Sequence, residues 1–228
     1  MEKRYTTVFF DRDGTLLTLS PDLRDKRNAL IEGWSGKEFH LEYPKMMDLF
    51  DRAGYPKEGY KSVEEETAFW RRYYRELLLG EGVTADLEDR AEALFQLMWL
   101  QGYQPYPETV EVLEWFQSHG FRMGVISDTS PSLPLTLEAA GIGKYFECAV
   151  CSDLVGAQKP APRIYQAALD ELGVTAEESL YVDDYDIEAD GARTMGFTAF
   201  HLDRSRPGDG AWRIGSLRDM VNYMEKRL

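Results

Sequence analysis

The chain has 228 residues, with 26 Lys and Arg against 40 Asp and Glu, a formal net charge of −14 and a pI near 4.7. An acidic envelope of this size excludes a general attraction to nucleic acid or to an anionic membrane surface. At 43% hydrophobic and 29% charged residues the composition is that of a globular protein, which excludes collagen-like and broadly disordered chains. At about 150 residues per domain, the length allows one large domain or a core with a smaller partner. No run approaches the ~18 apolar residues of a membrane span, and Met1-Glu2-Lys3-Arg4-Tyr5 shows no apolar leader, so a cytoplasmic location is expected. The two cysteines, Cys148 and Cys151, form a CxxC. Neither a second CxxC nor a nearby histidine completes a zinc site, so the pair reads as part of a buried strand in a reducing compartment.

In chain order, Thr6 to Phe10 is a β-branched and aromatic run that ends in Asp11-Arg12-Asp13-Gly14-Thr15, a buried strand running into a glycine turn. Residues 20–101 contain no strand pattern. Val63 to Leu79 and Ala85 to Leu100 carry apolar residues at helical spacing, with Phe69, Tyr73 and Leu77 on one stripe and Leu87, Ala91, Leu94 and Met98 on another. Gly33-Trp34-Ser35 and Glu38 to Asp51 read as lid segments. Strands then follow at Phe121–Ser127, Ala149–Cys151, Leu180–Asp183 and Thr198–Leu202. Between and after them come helices at Pro107–His119, Pro131–Ala140, Pro162–Leu172, Glu188–Met195 and Ser216–Lys226. Gly120, Gly141 and Gly173 stand just past helix ends. The alternation predicts an α/β core, residues 1–19 and 102–228, with a mostly parallel sheet, and an all-helical insertion at 20–101.

Four groups of residues carry chemistry. Asp11 and Asp13, two apart on an extended segment, face one side where the strand ends, and Gly14 lets the backbone turn there. Asp183 and Asp184 follow another apolar strand and should reach the same sheet edge, where open α/β sheets bind ligands. Carboxylates converging there repel one another unless a cation intervenes, and hard oxygen ligands with open positions suit Mg²⁺. Ser127 ends a third strand, with a hydroxyl suited to a phosphate oxygen. Lys159, set before Pro160, is a point charge ahead of a helix.

This combination resembles the haloacid dehalogenase superfamily, in the phosphoglycolate phosphatase and β-phosphoglucomutase manner, over nearly the whole chain outside the insertion. The resemblance implies a Rossmann-like three-layer core and a helical cap domain. It implies that Asp11 is the nucleophile that forms an aspartyl-phosphate, and that Asp13 is acid to the leaving group and then base to water. Ser127 and Lys159, with Gly14, Thr15 and Asp128, would hold the phosphoryl group. Asp11, the backbone carbonyl of Asp13, Asp183 and either Asp184 or Glu188 would hold Mg²⁺. Where the family often has a neutral residue after the serine, this chain has Asp128, which is expected to turn away and bind backbone near Ser130-Pro131. The implied reaction is Mg²⁺-dependent hydrolysis of a small phosphorylated metabolite. A sugar phosphomutase or a non-catalytic phosphometabolite-binding protein is the alternative. A small-molecule substrate, no nucleic acid or membrane partner, and a monomer or weak homodimer complete the expectation.

Overall fold

The computed structural model describes residues 5–208 and 212–227, so Met1–Arg4 of the opening stretch lie outside the described residues. The chain forms two compact units, Met1–Thr18 with Pro105–Leu228, and Leu19–Gln104.

The strands are β1 (Thr7–Phe10), β2 (Leu17–Leu19), β3 (Tyr103–Pro105), β4 (Arg122–Ser127), β5 (Cys148–Cys151), β6 (Ser179–Asp183), β7 (Thr198–Leu202) and β8 (Arg213–Ile214). The α-helices are α1 (Pro21–Ser35), α2 (Tyr43–Arg52), α3 (Val63–Gly80), α4 (Leu87–Met98), α5 (Thr109–Ser118), α6 (Leu133–Ala139), α7 (Ser152–Val155), α8 (Pro162–Leu172), α9 (Asp186–Thr194) and α10 (Arg218–Glu225).

In the larger unit six strands form a parallel sheet in the order β5-β4-β1-β6-β7-β8. The α/β reading holds. β1, β4, β5 and β6 are buried almost throughout, as parallel strands covered on both faces must be. β1 lies between β4 and β6, with Phe10 opposite both Val125 and Val182. The chain builds outward from β1 to β4 and β5 on one side, then to β6, β7 and β8 on the other. β1 and β6 therefore flank the point where strand order reverses, and their carboxyl ends open onto the crevice such sheets use. Gly120, Gly141 and Gly173 take φ of 76°, 74° and 63°, left-handed turns that end α5, α6 and α8.

The smaller unit is helical, α1 to α4, around an aromatic core that includes Phe39, Tyr60, Phe69, Tyr73 and Phe95. The segments read as lids are helical: Gly33-Trp34-Ser35 lies inside α1, and most of 38–51 is α2. α1 begins at Ser20, whose hydroxyl accepts from the Leu23 N–H, with Pro21 in the first turn, and ends at left-handed Gly36. These cap signals were present in the sequence. The apolar stripe that would have joined them is interrupted at Arg27, which is buried in the helix. β2, β3 and β8 span three, three and two residues, too short to show a period. Cys148 and Cys151 are buried in β5 and form no disulfide, and burial pushes the Cys148 thiol up to about 12, so Cys148 presents no reactive thiolate. Among the described residues no helix is long and apolar enough to cross a membrane.

Candidate active site

Asp11 follows β1, and its N–H is held by the Val182 carbonyl of β6 at 2.9 Å. Asp183 ends β6 and Ser127 ends β4, so three neighbouring strands deliver these side chains to one edge. Asp11, Asp183 and Ser127 are all buried.

Lys159 joins them from the segment between α7 and α8. Its Nζ lies 2.8 Å from Asp11 Oδ1, 2.7 Å from Asp183 Oδ2 and 2.7 Å from Glu188 Oε2. The three donors of the ammonium thus meet three carboxylates. Burial pushes Lys159 down, but Asp11, Asp183 and Glu188 outweigh it and hold the ammonium well above its usual range. Asp183 is held further by the Tyr181 hydroxyl, which donates to Oδ2, and by the Tyr185 N–H, 3.0 Å from Oδ1. Burial, with Asp183 close by and only partly offset by Lys159, raises the Asp11 carboxyl well above the carboxylate range.

One oxygen of the first carboxylate is left over. Asp11 Oδ1 is held by Lys159, while Asp11 Oδ2 is buried with no hydrogen-bond partner. An orphaned carboxylate oxygen is costly in a resting protein and is the atom a cation or an electrophile would meet. Asp11, Asp183 and Asp184 each offer an oxygen within 4.8 Å of the others, a hard donor set that fits a divalent cation. Burial, then Asp183, raises Asp184 to about 6, only partly offset by Lys159.

Residues 5–196 match the haloacid dehalogenase-like hydrolase family. The chain belongs to that family. A glyceraldehyde 3-phosphate phosphatase of Methanopyrus kandleri is 32% identical over 206 residues, 89% of this chain and 85% of that one. A (S)-2-haloacid dehalogenase 4A of Burkholderia cepacia is 31% identical over 224 residues, 95% and 90%. The crystal structure of a HAD phosphatase from Thermococcus onnurineus has a TM-score of 0.65 at 24% identity, covering 98% of this chain and all of that one, which supports the shared fold.

The remaining residues implied by the haloacid dehalogenase resemblance fall in different places. Gly14, at φ 74°, packs so closely on Asp184 that a Cβ there would lie 2.1 Å from Asp184 Oδ2. Thr15 is buried, and its Oγ1 has no partner. The Asp13 carboxylate is not in the oxygen cluster. It is half-exposed and takes both bonds from buried Arg12, Nε at 2.9 Å and Nη2 at 2.6 Å. Glu188 lies on the Lys159 ammonium and outside the cluster that holds Asp184. Burial, then Asp183 against the pull of Lys159, raises Glu188 to about 7.

Asp128 binds backbone, but not at the Ser130-Pro131 turn. Its Oδ1 accepts from the Lys159 N–H at 3.0 Å, which ties the end of β4 to the lysine segment. The reason is local: the N–H before Pro160 needs an acceptor, and a carboxylate at the strand end supplies one. Burial raises the Asp128 carboxyl above its ordinary value despite this bond.

Tyr181 and Arg12 were missed by sequence reasoning. Tyr181 stands two residues before Asp183 on a strand, which puts both on one face, so period-two spacing carried that signal.

Proposed function

We propose that this hydrolase is a phosphatase acting on a small phosphorylated metabolite, with Asp11 as nucleophile. The observation that carries the reading is the asymmetry of Asp11: one oxygen fixed by Lys159, the other buried without a hydrogen-bond partner, on a residue that shares a carboxylate cluster with Asp183 and Asp184. The relatives divide between phosphate and haloacid chemistry, so the choice rests on the site. Asp13 and the Asp183–Asp184 pair favour phosphate, since a haloacid carries a single charge and needs no cation cluster to be tolerated.

In this reading Asp11 Oδ2 attacks phosphorus, forming an O–P bond as the ester O–P bond breaks. Asp13 gives its proton to the departing oxygen, then takes one from the water that attacks the aspartyl-phosphate and releases inorganic phosphate. To do so the Asp13 carboxylate must leave the fork of Arg12. Lys159 and Ser127 hold the transferring oxygens, and Gly14 and Thr15 shape the turn beneath them. Asp11, Asp183 and Asp184 would hold Mg²⁺, which supplies charge neutralisation for the phosphoryl oxygens. Asp128 acts through the Lys159 backbone, and Glu188 through its ammonium.

The test is phosphate release from p-nitrophenyl phosphate and a panel of phosphorylated metabolites, with Mg²⁺ and with EDTA. Wild type should turn over, and Asp11→Asn should lose at least about 10³-fold in kcat. Chloride release from (S)-2-chloropropionate without phosphate release would replace this reading with haloacid hydrolysis.

A further inference from the structure

We propose that Arg204 is a positioning residue for the loop that carries the nucleophile and the acid, an inference that rests on the phosphatase reading for its kinetic consequence. Arg204 lies two residues beyond β7, in a turn fixed by Asp203. The Asp203 Oδ1 accepts from the Ser205 N–H at 3.0 Å and from its hydroxyl at 2.6 Å, and the Asp203 N–H bonds the Ile214 carbonyl at 2.9 Å. From this base the guanidinium reaches across 190 residues of sequence to the first loop. Nε donates to the Gly14 carbonyl at 3.1 Å, and Nη2 to the Thr15 carbonyl at 2.7 Å. Nη1 is bonded to the buried carboxylate of Glu108. The plane lies over the Tyr106 ring, 3.6 Å from its centroid. A planar fork can hold two successive carbonyls in one orientation, which a lysine's single point charge cannot.

The rest of the loop is closed by its own backbone. Gly14 N–H bonds the Leu17 carbonyl at 3.0 Å, and the Leu16 and Leu17 N–H groups share the Arg12 carbonyl at 2.9 and 2.8 Å. The Leu16 carbonyl accepts from the Tyr106 N–H at 3.1 Å and the Thr109 hydroxyl at 2.9 Å. Arg204 takes both the Gly14 and the Thr15 carbonyl. Peptide planarity makes this directional. A carbonyl turned toward Arg204 turns the next residue's N–H away from it. The Gly14 bond therefore sets the Thr15 N–H, and the Thr15 bond sets the Leu16 N–H, which meets Arg12. Thr15 also carries the buried, unpartnered Oγ1. The Thr15 amide and the glycine packed on Asp184 are thus aimed by one arginine that touches no reacting atom. Glu108 keeps that arginine in place.

The test compares wild type with Arg204→Met, Arg204→Lys and Glu108→Gln. Three readouts are taken: amide hydrogen exchange over residues 12–17, orthovanadate affinity by calorimetry in Mg²⁺, and kcat and KM on the best phosphomonoester. Arg204→Met should speed exchange of the 12–17 amides at least about tenfold while β1 and β6 stay protected. It should lower kcat and vanadate affinity in parallel, by about 30-fold, with KM within about threefold, as displaced but intact donors require. Arg204→Lys should recover part of the loss, and Glu108→Gln should show the same pattern at smaller amplitude. A brace for stability alone would lower Tm and leave kcat and vanadate affinity within about twofold, which overturns the proposal. If Arg204→Met does not fold, Glu108→Gln and Arg204→Lys decide by the same criteria. If wild type turns over no phosphomonoester, the phosphatase reading fails, and the exchange of 12–17 alone supports or overturns the positioning role.

Discussion

The two units solve the burial problem in opposite ways. The helical unit fills its centre with rings: Phe69 is fully buried, with Phe50, Tyr55, Tyr60, Trp70 and Tyr73 centroids 5.3 to 6.2 Å away. The sheet unit is also apolar between its layers, yet at the carboxyl ends of β1, β4 and β6 it buries Asp11, Asp183, Ser127 and Lys159 together. Aromatic packing stabilises the helical unit through buried area and ring geometry. The buried charges give stability only while each stays matched, and one Asp11 oxygen is not. A region that carries an unsatisfied carboxylate at the point where strand order reverses is built for a ligand, and a region built from rings is built to hold its shape.

The largest effect should come from breaking the charge balance. Lys159→Met leaves Asp11, Asp183 and Glu188 facing one another without a cation. Removing one partner of a buried ion pair costs about 3–5 kcal/mol. The loss should shrink as pH falls, because the orphaned carboxylates take up protons. Chemical denaturation of both proteins from pH 7 to pH 4 checks this. A constant difference across that range would mean that the lysine contributes by packing rather than by charge.

In the helical unit, Phe69→Ala should cost about 3–5 kcal/mol, the range for deleting a buried ring. The contrast lies in its pH dependence, which should be flat, and in exchange, which should quicken first in α3 and α4. In the sheet unit Gly124→Ala should cost about 1–3 kcal/mol by overpacking. A Cβ there would fall 2.6 Å from Cys148 Sγ and 2.8 Å from the Phe9 ring. Equilibrium unfolding in urea measures both. A neutral Gly124→Ala would show that β4 and β5 can separate without loss.

The core was more legible than the insertion for a physical reason. Buried parallel strands are short apolar runs closed by Gly, Asp or Ser, and each of Asp11, Ser127 and Asp183 sits at such a closure. Helices α3 and α4 show a clean stripe, but α1 places buried Arg27 where the stripe needs an apolar residue, and α2 has only Leu49 fully buried. The site residues were legible as types at strand ends. Their pairings were not: that Glu188 meets Lys159, that Asp128 holds the Lys159 N–H, and that Arg12 holds Asp13 depend on side-chain reach across segments remote in sequence or on a local rotamer. Tyr181 could have been read from its spacing to Asp183. Arg204 could not, because nothing in the sequence links residue 204 to the carbonyls of 14 and 15.

The smallest effect is also the most specific. Burial pushes the Glu108 carboxyl up, but the hydrogen bond and charge of Arg204 outweigh it, and the net is below the ordinary 4.5. A carboxyl lowered on folding contributes stability that is present above its ordinary value and is lost as pH falls through the folded value. Glu108→Gln keeps an acceptor and loses the charge, so it should be less stable than wild type at pH 7 by about 0.5–1.5 kcal/mol. The two proteins should converge in Tm as pH falls through the lowered folded value, since wild-type Glu108 is then protonated and resembles glutamine. A gap that stays constant down to the lowest pH at which both proteins fold would mean that Glu108 acts through its shape and its contact with Ser216, 3.5 Å away, and that the charge on Arg204 is balanced elsewhere.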